Sequence, residues 1–137
     1  MISMTFSSTV ENIERAVLYT SDFVARLKKS IDTFGLRLVL SEGITNAIVH
    51  GNKENAAKPV SVKIKLTETR ITISVKDTGG GFDWRSRVTE GMPEFDSPRG
   101  RGVALMQAYG YEVQFNDKGN ILTLTRKLDP HPDEPNQ

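Results

Sequence analysis

Leu38-Val-Leu-Ser-Glu-Gly-Ile-Thr-Asn-Ala-Ile-Val-His-Gly51 is the stretch whose reading decides the fold. Its apolar residues recur as in a helix, and at about 3.6 residues per turn Glu42, Asn46 and His50 stand one above another on a single stripe. Nearly every other position is apolar, so the helix is expected to be buried. A carboxylate and an amide one turn apart in such a helix need partners, because an unpaired buried polar group is costly. A divalent cation with phosphate oxygens satisfies both, and so does a small solvated notch. Both readings stay open on this stretch alone.

The rest of the chain bounds the answer. At 137 residues, 37% hydrophobic and 26% charged, it has the composition of one soluble globular domain. Residues 1–128 are expected to form that domain, and residues 129–137, rich in proline, a disordered tail. A net charge of +1 gives no electrostatic reason to expect direct nucleic-acid binding or an anionic membrane. The absence of cysteine excludes disulfides, thiolate catalysis and cysteine-based zinc sites. No apolar run is long enough to span a bilayer, and the N-terminus lacks a secretory pattern, so a cytoplasmic location is expected.

Outward from the organising helix, the periodicity switches. Ile2 to Ser7 alternates as a first strand, and Ser8 with Glu11 reads as a capping box that starts a helix near Thr9. Ile13, Val17, Phe23, Val24, Leu27 and Ile31 give that helix an apolar stripe, and Asp32-Thr-Phe-Gly35 then breaks it and caps the organising helix. Val60, Val62, Ile64 and Leu66 alternate with polar residues, and Ile71, Ile73 and Val75 do so again after a turn, which predicts an antiparallel hairpin. Asp83 to Arg99 has no period and reads as a mobile loop; Gly100-Arg-Gly102 opens a helix over Val103 to Tyr109, stopped by Gly110. Tyr111, Val113 and Phe115, a turn at Asp117 to Asn120, and Ile121 to Thr125 close the chain. The fold class expected is α+β, a two-layer sandwich with a mixed, mostly antiparallel sheet and helices on one face.

Two further stretches carry chemistry. Asp77-Thr-Gly-Gly-Gly-Phe82 follows a strand, and an aspartate there accepts a hydrogen bond from an exocyclic amine, as an adenine pocket needs. A tight turn whose aspartate bonds its own backbone has the same composition. Gly100-Arg-Gly102 before a helix suits an anion, because free N–H groups and the helix dipole converge there. Arg85, Arg87, Arg99 and Arg101 flank it and can add charge-assisted bonds to phosphate, or form a solvated face. The P-loop, the dinucleotide fingerprint and the nucleophile elbow are all absent from the sequence.

In this order the three stretches resemble the ATP-binding fold shared by DNA gyrase, heat-shock chaperone, sensor histidine kinase and MutL-type proteins, the GHKL or Bergerat fold, over roughly Leu36 to Thr125. Within it, Ser41-Glu-Gly-Ile-Thr-Asn-Ala-Ile-Val-His-Gly51 and Gly100-Arg-Gly-Val-Ala-Leu-Met106 resemble the first and last boxes of the anti-sigma factor serine kinases. The resemblance implies ATP and Mg²⁺ as cofactors, with Asn46 ligating Mg²⁺ and Asp77 taking the adenine amine. It implies that Gly79 and Gly81 shape the wall near the base, that Gly100 and Gly102 let the lid close over the phosphates, with Arg101 and Val103 also binding the cofactor, and that Glu42 is the general base for an attacking serine hydroxyl. It also implies partners: a sigma factor, a STAS-type anti-sigma factor antagonist phosphorylated on serine, and a second copy in a homodimer. One departure stands out, since Gly119 is followed by Asn120 where relatives often carry threonine near the adenine. An ATP-binding adaptor that transfers no phosphate is the alternative function.

Overall fold

The computed structural model describes residues 1–79 and 98–128, with side chains in the second span described from Gly102 onward. Gly81, most of the expected mobile loop and the tail 129–137 lie outside the described residues. The elements are β1 (Ile2–Ser7), α1 (Glu11–Leu27), α2 (Thr33–Thr45) continued by a π-helical turn (Asn46–Gly51), β2 (Pro59–Leu66), β3 (Arg70–Lys76), α3 (Pro98–Ala108), β4 (Glu112–Phe115) and β5 (Ile121–Lys127).

The strands form one sheet in the order β1-β2-β3-β5-β4, and every pairing among the described residues is antiparallel. Register follows from the alternation. Val62 faces Val75, Ile64 faces Ile73 and Ile73 faces Leu124, which puts the aliphatic residues on one side and Ser61, Lys63, Thr72 and Thr123 on the other. The aliphatic side is covered by the helices. Val24 of α1, Leu36, Val39, Leu40 and Ile44 of α2, Ile48 of the π turn and Met106 of α3 are all fully buried there. Each such side chain contributes about 1.5–3 kcal/mol relative to exposure, so the helical layer and the sheet are one cooperative core.

α2 begins as its sequence predicts: Asp32 is the N-cap, and its Oδ1 accepts from the Gly35 N–H at 3.0 Å. Arg37 ties it to α1, donating from Nε to Ser21 Oγ and from Nη2 to Asp22 Oδ1, both at 3.0 Å. α3 ends in a Schellman turn: Gly110, at φ 89°, bonds back to Gln107 O, and Tyr111 N bonds to Met106 O. Tyr111 is 2% exposed; burial pushes its phenol above the ordinary tyrosine value, and the Arg126 guanidinium, 5.7 Å over its ring, pulls the other way.

Four expectations are corrected. Ser8 does not cap α1, whose first residue is Glu11; its hydroxyl donates to Lys58 O at 2.6 Å across the fold. Phe23 and Leu27 are 38% and 42% exposed, and the buried face of α1 runs through Ala16, Val17, Thr20, Ser21 and Val24. His50 leaves the stripe of Glu42 and Asn46 and is exposed, because the π turn underwinds the helix from Asn46 onward. Finally, Gly100 and Gly102 do not precede a helix but lie inside its first turns, which start at Pro98, a residue whose fixed φ suits a first helical position.

Candidate functional site

Three elements converge on one cleft. α2 supplies Glu42 and the π-helical turn that continues it supplies Asn46, four residues on, and both are half-buried. α3 crosses them at Gly102: a Cβ there would stand 2.9 Å from Glu42 Oε2 and 3.5 Å from Asn46 Nδ2. Two polar side chains, from the end of α2 and the start of the π turn, therefore lie against the same short stretch of α3 backbone, which approaches them closely because residue 102 has no side chain. Val103 follows, half-buried, and the backbones of Gly100 and Arg101 belong to the first turn, where helix N–H groups have no intrahelical partners.

The second wall comes from the end of β3. Asp77 is 6% exposed, and its Oδ1 accepts from the Gly79 N–H at 2.9 Å, so the turn-forming bond of the plainer reading is present. Glycine is required on both sides of this carboxylate. A Cβ on Gly51 would overlap the Asp77 carboxyl, and one on Gly79 would overlap the Gly51 carbonyl oxygen. Gly79 thus serves close packing of two backbones as well as any ligand wall.

The third wall is the β4–β5 turn. Asn116 Oδ1 accepts from the backbone N–H groups of Gly119, Asn120 and Ile121, each at 3.0 Å, and fixes the turn. Asn120 is then held from both sides: its Oδ1 accepts from Asn116 Nδ2 at 2.7 Å and its Nδ2 donates to Asp77 O at 3.1 Å. Its side-chain amide joins the turn to β3 as well as facing the cleft.

The cleft between these walls is lined by Gly43, Asn46, Ala47, Val75, Asp77, Phe115, Gly119, Asn120 and Leu122. Asn46 and Asp77, some thirty residues apart in sequence, share it. Val75, Phe115 and Leu122 give it apolar lining, and Asn46, Asp77 and Asn120 give it polar lining. Glu42 is not among its lining residues but sits beside it, through Gly102 and Asn46. Among the described residues there is no cluster of three or more His, Asp or Glu side chains suited to hold a metal without help from a ligand. The donor set, one amide oxygen near one carboxylate, is of the kind that binds Mg²⁺ together with phosphate oxygens and water.

The sequence reading missed Gly43, Phe115, Asn116 and Asn52. Gly43 had a signal: glycine inside a buried helix costs stability unless a neighbour needs the space. Here a Cβ would lie 3.2 Å from Leu122 Cδ2 and 3.5 Å from Val75 Cγ2.

The family model for the histidine kinase-like ATPase domain matches residues 6–126. The chain belongs to this family. Among curated relatives it is similar to the anti-sigma F factor of Lysinibacillus sphaericus, 29% identical over 134 residues covering 93% of this chain and 92% of that protein. It is also similar to the anti-sigma F factor of Bacillus subtilis (strain 168), 27% identical over 131 residues, 90% of this chain and 89% of that one. Both agree with the resemblance read from the two boxes. Among solved structures, the mycobacterial sensor histidine kinase MprB aligns with TM-score 0.54 and 13% identity over 95% of this chain and 100% of that one. The histidine kinase domain of the Erythrobacter litoralis EL346 blue-light activated kinase aligns with TM-score 0.53 and 23% identity, over 70% of this chain and 44% of that one. These two show a shared GHKL fold. A histidine kinase-like ATPase domain binds nucleotide, and among the described residues no helix is long and apolar enough to cross a membrane.

Proposed function

We propose that this histidine kinase-like ATPase domain is a Mg·ATP-dependent protein-serine kinase that acts as an anti-sigma factor. In this reading it is cytoplasmic, holds a sigma factor in one state, and in the other phosphorylates a STAS-type antagonist on serine. The observation that carries the reading is the shared cleft of Asn46 and Asp77 with Glu42 at its margin, at the point where Gly102 brings α3 against α2. The names of the curated relatives support the anti-sigma assignment.

The division of labour follows from chemistry. Asp77 accepts the exocyclic amine of adenine, which a guanine carbonyl at the same position would repel. Val75, Phe115 and Leu122 flank the base. Asn46 holds Mg²⁺ through its amide oxygen, and when bound the ion neutralises phosphate charge. The first turn of α3 offers the N–H groups of Gly100 and Arg101 to the phosphates, with Gly102 and Val103 lining the approach and Arg101 adding charge. Glu42 accepts the proton of the attacking serine hydroxyl, the one acid–base task that phosphoryl transfer sets. The outer edge of β1, with Phe23 and Leu27 exposed beside it, supports a homodimer.

The test is transfer of labelled γ-phosphate from ATP to a serine of a purified STAS-domain antagonist, with and without magnesium. Magnesium-dependent serine labelling by the native chain is expected. Tight ATP binding with no labelling of such a substrate would leave an adaptor in place of a kinase.

A further inference from the structure

Asn52 has no part in the chemistry proposed above, yet it is 1% exposed and bonded through both ends of its carboxamide. Nδ2 donates to Ser8 Oγ at 2.8 Å and to Pro59 O at 3.0 Å, with a longer contact to Lys58 O at 3.4 Å. Oδ1 accepts from Thr78 N at 2.9 Å and, more weakly, from Thr78 Oγ1 at 3.4 Å. One side chain therefore joins the end of β1, the start of β2 and the turn after β3.

Thr78 sits between Asp77, on the cleft wall, and Gly79, whose N–H holds the Asp77 carboxylate. It lies past the end of the β3–β5 ladder, which stops at Lys76 opposite Ile121, so its N–H needs another acceptor. Asn52 supplies it. The π-helical turn delivers Asn52 to that place: its N–H bonds to Ala47 O, five residues back, where α-helical spacing would use Ile48. The two left-handed residues that follow, Lys53 at φ 53° and Glu54 at φ 58°, then turn the chain away without disturbing it.

We infer that Asn52 is a positioning residue for base recognition: through the Thr78 N–H it fixes the depth at which the Asp77 carboxylate stands in the cleft, and so the choice between a purine bearing an amine and one bearing a carbonyl. This rests on the ATP reading proposed above. Asn120 holds the Asp77 backbone, its carbonyl accepting from Asp77 N at 2.9 Å and its Nδ2 donating to Asp77 O at 3.1 Å, and Asn52 holds the next N–H, that of Thr78. Loss of the carboxamide lets the turn shift by the fraction of an ångström that separates a good hydrogen bond from a poor one.

The experiment is calorimetric titration of the full chain with Mg·ATP and with Mg·GTP, with Tm measured alongside. Asn52→Leu, with the same heavy-atom branching but without the amide, is expected to lower the ATP-over-GTP preference about tenfold, the scale of one hydrogen bond. Ser8→Ala, which leaves the Thr78 bond in place, is expected to lower Tm and keep the preference. For the case in which Asn52→Leu does not fold, amide exchange at Thr78 in the native chain is the second measurement. Protection comparable to the β3 amides is expected, and exchange at the rate of an open loop overturns the proposal. An Asn52→Leu chain that is less stable but discriminates as the native chain does overturns the proposal alone. A native chain that does not prefer ATP overturns the ATP reading and this inference with it.

Discussion

The two ends of α2 are built differently although each meets α3 at a glycine. At its N-terminal end Gly35 lies against Tyr109, where a Cβ would come 2.7 Å from the ring. Asp32 caps the helix, Phe34 and Tyr109 meet at 6.2 Å between centroids, and the Schellman turn closes α3. That end satisfies its own backbone. At the other end Gly102 lies against Glu42 and Asn46, and polar groups face a cleft. The contrast runs along a single helix: one end is closed by a side-chain cap and a ring contact, and the other turns polar side chains toward a cleft.

Substitutions at the two ends should therefore differ in kind. The largest effect is expected at the open end. Glu42→Ala should reduce phosphoryl transfer by roughly 10²–10⁴-fold, the usual range for a lost general base, with ATP affinity and Tm nearly unchanged. Titration and single-turnover transfer on the same preparation check this; an equal loss of ATP binding would remove Glu42 as base. Next is Gly79→Ala, whose methyl group meets the Gly51 carbonyl and cannot be accommodated by a side-chain shift. A loss of roughly 3 kcal/mol in urea unfolding is expected, at the upper end of overpacking costs.

The closed end should show stability effects without functional ones. Asp32→Ala removes the cap and should cost about 1 kcal/mol while leaving nucleotide affinity intact. Its ion pair with Arg126, at 3.9 Å and partly exposed, adds little to that figure. A change in ATP affinity would break the separation between the two ends. The smallest effect belongs to Tyr111, whose buried hydroxyl has no hydrogen bond among the described residues. Because its pKa is raised in the folded chain, stability from this group is complete below the unfolded value near 10 and declines as pH rises above it. Tyr111→Phe should leave stability at pH 7 within about 0.5 kcal/mol and flatten that alkaline decline, as unfolding curves at several pH values would show.

How much of this was legible in the sequence depended on the range of the interaction. Strands were legible because alternation is local: β1 and the β2–β3 hairpin lie where Ile2 to Ser7 and the Val60 to Val75 pattern put them. The Asp32 cap was legible for the same reason. Ser8 was misread because its hydroxyl answers to Asn52 and Lys58, forty or more residues away, and not to the helix beside it. The π turn left no periodic trace, since it inserts one residue into a pattern only a few turns long, and so His50 was placed on a stripe it does not share. Asn46 and Asp77 were singled out by their residue chemistry in separate stretches and joined only through the resemblance to a kinase family, since spacing alone could not join them; the fold brings them to one cleft.

The most direct measurement is a crystal structure of the chain grown with Mg²⁺ and a non-hydrolysable ATP analogue. The account predicts the adenine amine at about 3 Å from the Asp77 carboxylate and the phosphates between Asn46 and the first turn of α3. A nucleotide bound outside that cleft, or with its base held by another residue, would contradict it.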